Sequence, residues 1–198
     1  LMKDYFDILQ IDGNASEQTI KQAYENMNRQ YPAKQYPEKN RDIQEAYVML
    51  SDDATKSACI DFHRMEPSSR IIYMAAQQSI MNDRGDEAAK ALERAIKTEQ
   101  HKTHLYYLLG VAYMNSERPR KAVKAFEQVI GRYPDDLYLN LYYSKACLDA
   151  RYYKKAIESA KRGYALDSDN FLSVYCLVEG YMYSRKFDEA IRVLKKAF

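Results

Sequence analysis

Few groups in this chain could do chemistry: three histidines, His63, His101 and His104, and three cysteines, Cys59, Cys147 and Cys176. Cys59 and His63 stand four residues apart with Asp61 between them, a spacing that puts thiol and imidazole on one helix face and could make a nucleophile pair. His101 and His104 flank an expected helix start, but a zinc ion there would need ligands the neighbouring sequence does not supply. There is no C-x-x-C pair and no glycine-rich phosphate loop. The Cys59/His63 spacing is read as a surface coincidence. No catalytic residue, no metal site and no cofactor are expected.

The elements that would carry such groups are helical. The chain has 198 residues, 46% of them hydrophobic and 29% charged, which excludes a disordered or collagenous polypeptide. Six glycines, five prolines, no tryptophan and 19 tyrosines fit a turn-poor, helical protein. A formal charge of +2 gives no global case for nucleic acid. The longest apolar run is far short of the roughly 18 residues of a membrane helix, and Leu1-Met2-Lys3-Asp4-Tyr5 opens no signal core, so no membrane segment is expected in this chain. Three widely spaced cysteines make no disulfide framework, and the expected location is the reducing cytoplasm.

Ala88, Ala122, Ala156 and Ala190 recur every 34 residues. Leu92, Phe126, Ala160 and Leu194 follow each alanine at i+4, and Ala95, Val129, Gly163 and Ala197 at i+7, which is the buried stripe of a helix packed on another. The unit Thr103 to Asp136 carries Tyr106, Leu109-Gly110, Tyr113, Ala122, Phe126 and Pro134, and resembles a tetratricopeptide repeat. Further units run from Leu137 to Asn170 and from Phe171 to Phe198, with a divergent one from about Ser69. Turns are expected near Asp83-Arg84-Gly85, with Gly85-Asp86 supplying the first, at Ser116 to Pro119, at Arg151-Tyr152 and at Ser184 to Lys186. Ile191, Val193, Leu194 and Phe198 end the array without a following helix, which calls for more chain or for cover by another molecule.

The first sixty residues contain Asp4-Tyr5-Phe6-Asp7-Ile8-Leu9, then Ala15 to Tyr24, then Gln44-Glu45-Ala46-Tyr47-Val48-Met49-Leu50-Ser51-Asp52. Ser16 reads as a helix cap, Ile20, Ala23, Tyr24 and Met27 form one apolar stripe, and Ile43, Ala46, Tyr47 and Leu50 form the facing one. This segment resembles the J domain of DnaJ-type co-chaperones. Active members of that family carry His-Pro-Asp between the paired helices, whereas Pro32-Ala33-Lys34 stands at that place here, or, in a shifted alignment, Tyr36-Pro37-Glu38. Residues 1–66 hold eight basic against 12 acidic side chains, and the helix that offers a basic face in the family carries Lys21 and Arg29 interrupted by Glu25.

The expected fold is therefore all-α, a J-like helical hairpin module over 1–66 followed by an α-α superhelical solenoid of about four tetratricopeptide units over 67–198. The resemblance implies a concave groove lined by Tyr73, Gln77, Tyr107, Val111, Met114, Leu141, Tyr142, Lys145, Tyr175, Glu179 and Met182. Relatives that clamp carboxylate tails use cations on these helices; here Tyr73, Gln77, Leu108, Tyr138 and Tyr142 stand at those positions, so no clamp is expected. A tyrosine- and methionine-rich surface suits a polypeptide with apolar anchors. Residues 67–198 hold 22 basic against 16 acidic side chains, mostly on second helices, read as a solvated face. The opposite charge of the two halves admits head-to-tail association.

The expected function is a non-catalytic interaction scaffold with a polypeptide partner or client in the groove. The alternative is a regulatory co-chaperone that recruits or weakly stimulates a DnaK-type ATPase. Another J protein is a further candidate partner.

Overall fold

The computed structural model describes residues 3–197, apart from the side chain of Ala54. Among them are twelve α-helices and no strand: α1 Tyr5–Leu9, α2 Glu17–Gln30, α3 Pro37–Ser51, α4 Asp53–His63, α5 Pro67–Met81, α6 Gly85–Thr98, α7 Thr103–Asn115, α8 Pro119–Glu127, α9 Leu137–Asp149, α10 Tyr153–Leu166, α11 Phe171–Tyr183 and α12 Phe187–Ala197. Phe198, placed by the sequence at the end of the apolar stripe, lies outside the described residues.

The chain divides into two compact units. The first comprises α1–α4, the start of α5 as far as Met74, and residues 99–101. Asp4, Ser16 and Asp52 cap α1, α2 and α4 with side-chain oxygens that accept from Asp7, Thr19 and Thr55 N–H groups. The α2–α3 hairpin closes on Ile20, Met27, Ile43, Ala46 and Leu50, and Tyr5, Phe6 and Leu9 of α1 complete that core.

The division between these units falls after Met74, whereas the sequence placed the break at residue 66. Pro67 opens α5 but ends no domain, because the first turns of that helix belong to the first unit. Tyr73 is buried edge-on against Phe62, with ring centroids 5.2 Å apart. Arg70 donates to Asp4, whose carboxylate also lies 2.9 Å from His63 Nδ1. Glu99, 2% exposed, accepts from the Glu66 N–H at 3.0 Å and the His101 N–H at 2.9 Å. Burial pushes its carboxyl up, but these N–H donors and the Ser69 hydroxyl outweigh that, so its pKa is held below the usual value.

The second unit comprises residues 75–98 and 102–198. Helices α7 to α12 form three successive pairs, with α7, α9 and α11 packed side by side. Asp83, Glu117, Arg151 and Arg185, again 34 residues apart, all take left-handed backbone at φ 55–65°. The following N–H reaches back across each turn, as Arg118 does to the Tyr113 carbonyl at 2.8 Å and Tyr152 to the Cys147 carbonyl at 2.7 Å. The bend at the first turn is therefore made by Asp83 and not by Gly85. Gly85 instead admits a neighbouring helix: a Cβ there would come within 2.7 Å of the Ala112 carbonyl oxygen.

Buried Asn140, Ser144 and Ser159 inside the array are hydrogen-bonded. Asn140 donates to the Pro134 and Asp136 carbonyls, Ser159 donates to Asn140, and Ser144 donates to the Ala156 carbonyl. Small hydroxyl residues here let helices approach closely without leaving a donor unmet.

Candidate functional site

Two regions carry the sequence-derived site residues, and each is built by local folding. In the first unit the α2–α3 connection is a tight turn. Gln35 and Tyr36 N–H groups donate to the Pro32 carbonyl at 3.0 and 2.9 Å, leaving Pro32, Ala33 and Lys34 exposed at its tip. Tyr36 packs edge-on to Tyr31 at 5.4 Å, and the Lys39 ammonium sits 3.5 Å over the Tyr31 ring. Asn40, almost fully buried, donates to Asn28 Oδ1 at 2.6 Å and the Tyr31 carbonyl at 2.8 Å.

This arrangement separates the two alignments of the loop. Pro37 and Glu38 lie in the first turn of α3, where proline fits because its missing N–H has no intrahelical partner. Tyr36-Pro37-Glu38 therefore forms a helix start, and Pro32-Ala33-Lys34 forms the loop. No histidine stands anywhere between Gly13 and Ile60. A imidazole is thus missing from both alignments.

The Cys59/His63 pair separates in the same unit. Cys59 Sγ lies 3.8 Å from the Met49 carbonyl, and burial pushes its thiol up to about 12. His63 bonds Asp4 instead. Asp4, Asp7 and His63 come close enough to suggest metal ligands, but Arg70 occupies the Asp4 carboxylate and reaches Asp7 at 3.3 Å. A guanidinium already supplies the positive charge there. Burial likewise raises Cys147 to about 12 and Cys176 to about 11, so neither thiol is activated.

The expected groove residues, all in the second unit except Tyr73, fall into three groups. Tyr142, Tyr175 and Met182 are exposed; Gln77, Tyr107, Val111, Met114, Lys145 and Glu179 are half-buried. Tyr73 and Leu141 are buried and cannot line an open groove. Tyr73 belongs to the core of the first unit, and Leu141 fills the space over Gly163, where a Cβ would meet its Cδ2 at 2.8 Å. Of the tyrosines at framework positions, Tyr113 and Tyr181 are buried, and Tyr106 and Tyr153 are half-buried.

Exposed Tyr138 and Leu172 adjoin this surface in sequence, at the starts of α9 and α11. Tyr107 and Tyr142 meet edge-on at 6.3 Å, and Tyr175 donates to Glu179 Oε1 at 3.1 Å. Lys145 bridges Asp149 at 3.1 Å and Glu179 at 3.6 Å. Burial pulls the Lys145 ammonium down, but its hydrogen bond to Asp149 and the two carboxylate charges prevail and hold its pKa above the ordinary value. The cation at this surface is therefore already neutralised, which leaves aromatic and thioether faces as its open contacts.

Sequence reasoning missed Asp4, Arg70, Asn40 and Glu99. Asp4 before Tyr5-Phe6 carries a readable cap signal; the others act across the fold, where no local pattern announces them.

A helical hairpin module preceding an array of paired helices is the architecture of a J domain joined to tetratricopeptide repeats. The DnaJ domain family matches residues 4–59, and the tetratricopeptide repeat family matches residues 79–144. The chain carries both modules, and both are adaptor or co-chaperone types. It is 35% identical over 71 residues to the chaperone protein DnaJ of Geobacillus kaustophilus, covering 33% of this chain and 19% of that protein. Against the chaperone protein DnaJ of Aliarcobacter butzleri it is 42% identical over 60 residues, covering 27% and 16%. Tetratricopeptide repeat protein 21B of Xenopus laevis is 27% identical over 121 residues, covering 61% of this chain and 9% of that protein. The chain thus spans about a fifth or less of the length of these relatives. No described helix is long and apolar enough to cross a membrane.

Proposed function

We propose that this chain is a non-catalytic, chaperone-related interaction scaffold. Its repeat surface holds a polypeptide segment through apolar anchors, and its J module docks without driving a chaperone's ATPase. The observation that carries this reading is the exposure of Tyr142, Tyr175 and Met182 on helices α9 and α11 while Lys145 is consumed by Asp149 and Glu179. Carboxylate capture needs a free cation or a fork of donors, and this surface offers aromatic faces instead. Three buried cysteines with raised pKa values are compatible with a reducing compartment such as the cytoplasm.

An array of short peptides, varied in apolar content and in the charge of the last residues, tests the surface by fluorescence anisotropy. Peptides with several Leu, Met or aromatic residues should bind, and Tyr142→Ala/Tyr175→Ala should weaken them about tenfold or more, as expected for loss of two aromatic anchors. Binding that depends on an acidic carboxyl terminus and survives the double substitution would contradict this reading.

A further inference from the structure

A cleft of about 350 Å³ opens between the α7–α8 and α9–α10 pairs, where the start of α8 meets the end of α9 and the turn after it. Arg118, Arg120, Lys121 and Arg151 line it, with Asp149 as the one carboxylate among its lining residues. The cleft is interior to the array, since Arg118 reaches Asp86 of α6 on one side and α11 packs on α9 on the other.

Ion pairing leaves the cleft positive. Arg118 is matched by Asp86 at 3.0 Å, and Asp149 by Lys145 at 3.1 Å. The Arg120 and Arg151 guanidinium groups have no ion pair or hydrogen bond among the described residues, and the Lys121 ammonium lies 5.2 Å over the Tyr113 ring. Three cations therefore surround one cavity without an anion to match them.

The 34-residue register shows that two of these charges oppose helix stability. The first turn of α6 holds Asp86 and Glu87, and that of α12 holds Asp188 and Glu189, acids that the positive end of a helix dipole favours. The same two positions hold Arg120 and Lys121 on α8, and Lys154 and Lys155 on α10. Lys155 is neutralised by Glu127 at 2.7 Å, whereas Arg120 and Lys121 line the cleft. Cations set against both the dipole and one another, around a cavity, point to an anionic ligand.

The charge and the donors define that ligand. A guanidinium fork matches carboxylate and phosphate oxygens, but three unmatched cations exceed what one carboxylate neutralises, whereas a phosphate monoester brings close to two negative charges and three acceptor oxygens. The four cations are exposed, and an open cleft of this kind encloses too little of a small molecule to hold it alone. A polynucleotide fits poorly. Exposed Glu117 and Asp149 interrupt the basic surface, and no aromatic ring lines the cleft to stack a base.

We propose that this cleft is a second binding site, which takes a phosphorylated serine or threonine of a polypeptide through Arg120, Lys121 and Arg151. It shares no lining residue with the tyrosine surface of α9 and α11 and does not rest on that reading.

An amide NMR titration of the 198-residue chain with a glycine-flanked phosphoserine peptide, at physiological ionic strength so that diffuse attraction is screened, tests the proposal. The Arg120, Lys121 and Arg151 signals should shift and saturate with a dissociation constant of about 1 mM or tighter. The unphosphorylated peptide should leave them in place, and inorganic phosphate should bind more weakly. Arg120→Glu/Lys121→Glu and, from the other wall, Arg151→Glu should each weaken the phosphopeptide about tenfold or more. The double substitution puts acids where α6 and α12 have them, so its urea midpoint should not fall, which separates lost binding from lost folding. Lys161→Glu/Lys195→Glu, which reverses two exposed cations outside the cleft, should bind like the unsubstituted chain. Absent shifts, equal affinity for inorganic phosphate, normal binding by Arg151→Glu, or a loss just as large in Lys161→Glu/Lys195→Glu would each overturn the proposal. So would a single-stranded RNA oligonucleotide that binds the same residues more tightly than the phosphopeptide, which would make the cleft a nucleic-acid site.

Discussion

Phe126→Ala is expected to destabilise the repeat unit by about 4 kcal/mol, the range for losing a fully buried aromatic side chain and leaving a cavity. The Phe126 ring is 0% exposed and stands edge-on to Tyr107 at 6.2 Å. Gly110 of α7 exists to admit it, since a Cβ at that position would lie 2.5 Å from the Phe126 ring. Gly110→Ala should therefore also destabilise, by roughly 1–3 kcal/mol, even though alanine favours a helix interior. Combining Gly110→Ala with Phe126→Leu should recover part of that loss, because the smaller side chain vacates the colliding ring edge. Urea unfolding of the unsubstituted chain, Gly110→Ala, Phe126→Leu and Gly110→Ala/Phe126→Leu, taken as a double-mutant cycle, measures the coupling. Strict additivity would show that the contact between α7 and α8 is not where this pair acts.

The second large effect is expected at Asp4. Its carboxylate caps α1, accepting from the Asp7 N–H at 3.2 Å, and meets both His63 and Arg70. Asp4→Ala removes the cap and leaves Arg70, with only 19% of its side chain exposed, with exposed Asp7 at 3.3 Å in place of its nearer carboxylate. The loss should be about 2–3 kcal/mol, below the value for a fully buried pair because these groups retain contact with water. Amide hydrogen exchange should show the start of α5 opening with α1 and α4 rather than with α6. Protection that is unchanged from Pro67 to Tyr73 in this variant would mean that Asp4 does not tie α5 to the J module.

Much of the fold was legible because it repeats. Ala88, Ala122, Ala156 and Ala190 announce one helix pair every 34 residues, and the stripes around Ile20 and Ile43 announce the hairpin. The boundary was not legible. A proline at the first turn of α5 marks a helix start, and contacts between residues far apart in sequence, Arg70 with Asp4 and Glu99 with Glu66, tie that turn to the first unit. The same limit applies to the groove. Register named Leu141 as lining, but register carries no information on depth, and the missing Cβ of Gly163 lets Leu141 sink into the core. The turn near Asp83-Arg84-Gly85 was legible, but not its division of labour: Asp83 takes the left-handed backbone, while Gly85-Asp86 opens α6 and Gly85 admits close packing. In the loop, the sequence itself shows the absent histidine, and the structure adds that Pro37 starts α3 while Pro32-Ala33-Lys34 lies in the turn before it.

Single-turnover ATP hydrolysis by a DnaK-type chaperone tests most directly whether this J module docks without driving the chaperone. The hydrolysis rate should be the same with and without the 198-residue chain, while a J protein that carries His-Pro-Asp accelerates it in the same assay. Acceleration by this chain, lost when Pro32 is replaced by alanine, would contradict the scaffold reading and make the module an active co-chaperone.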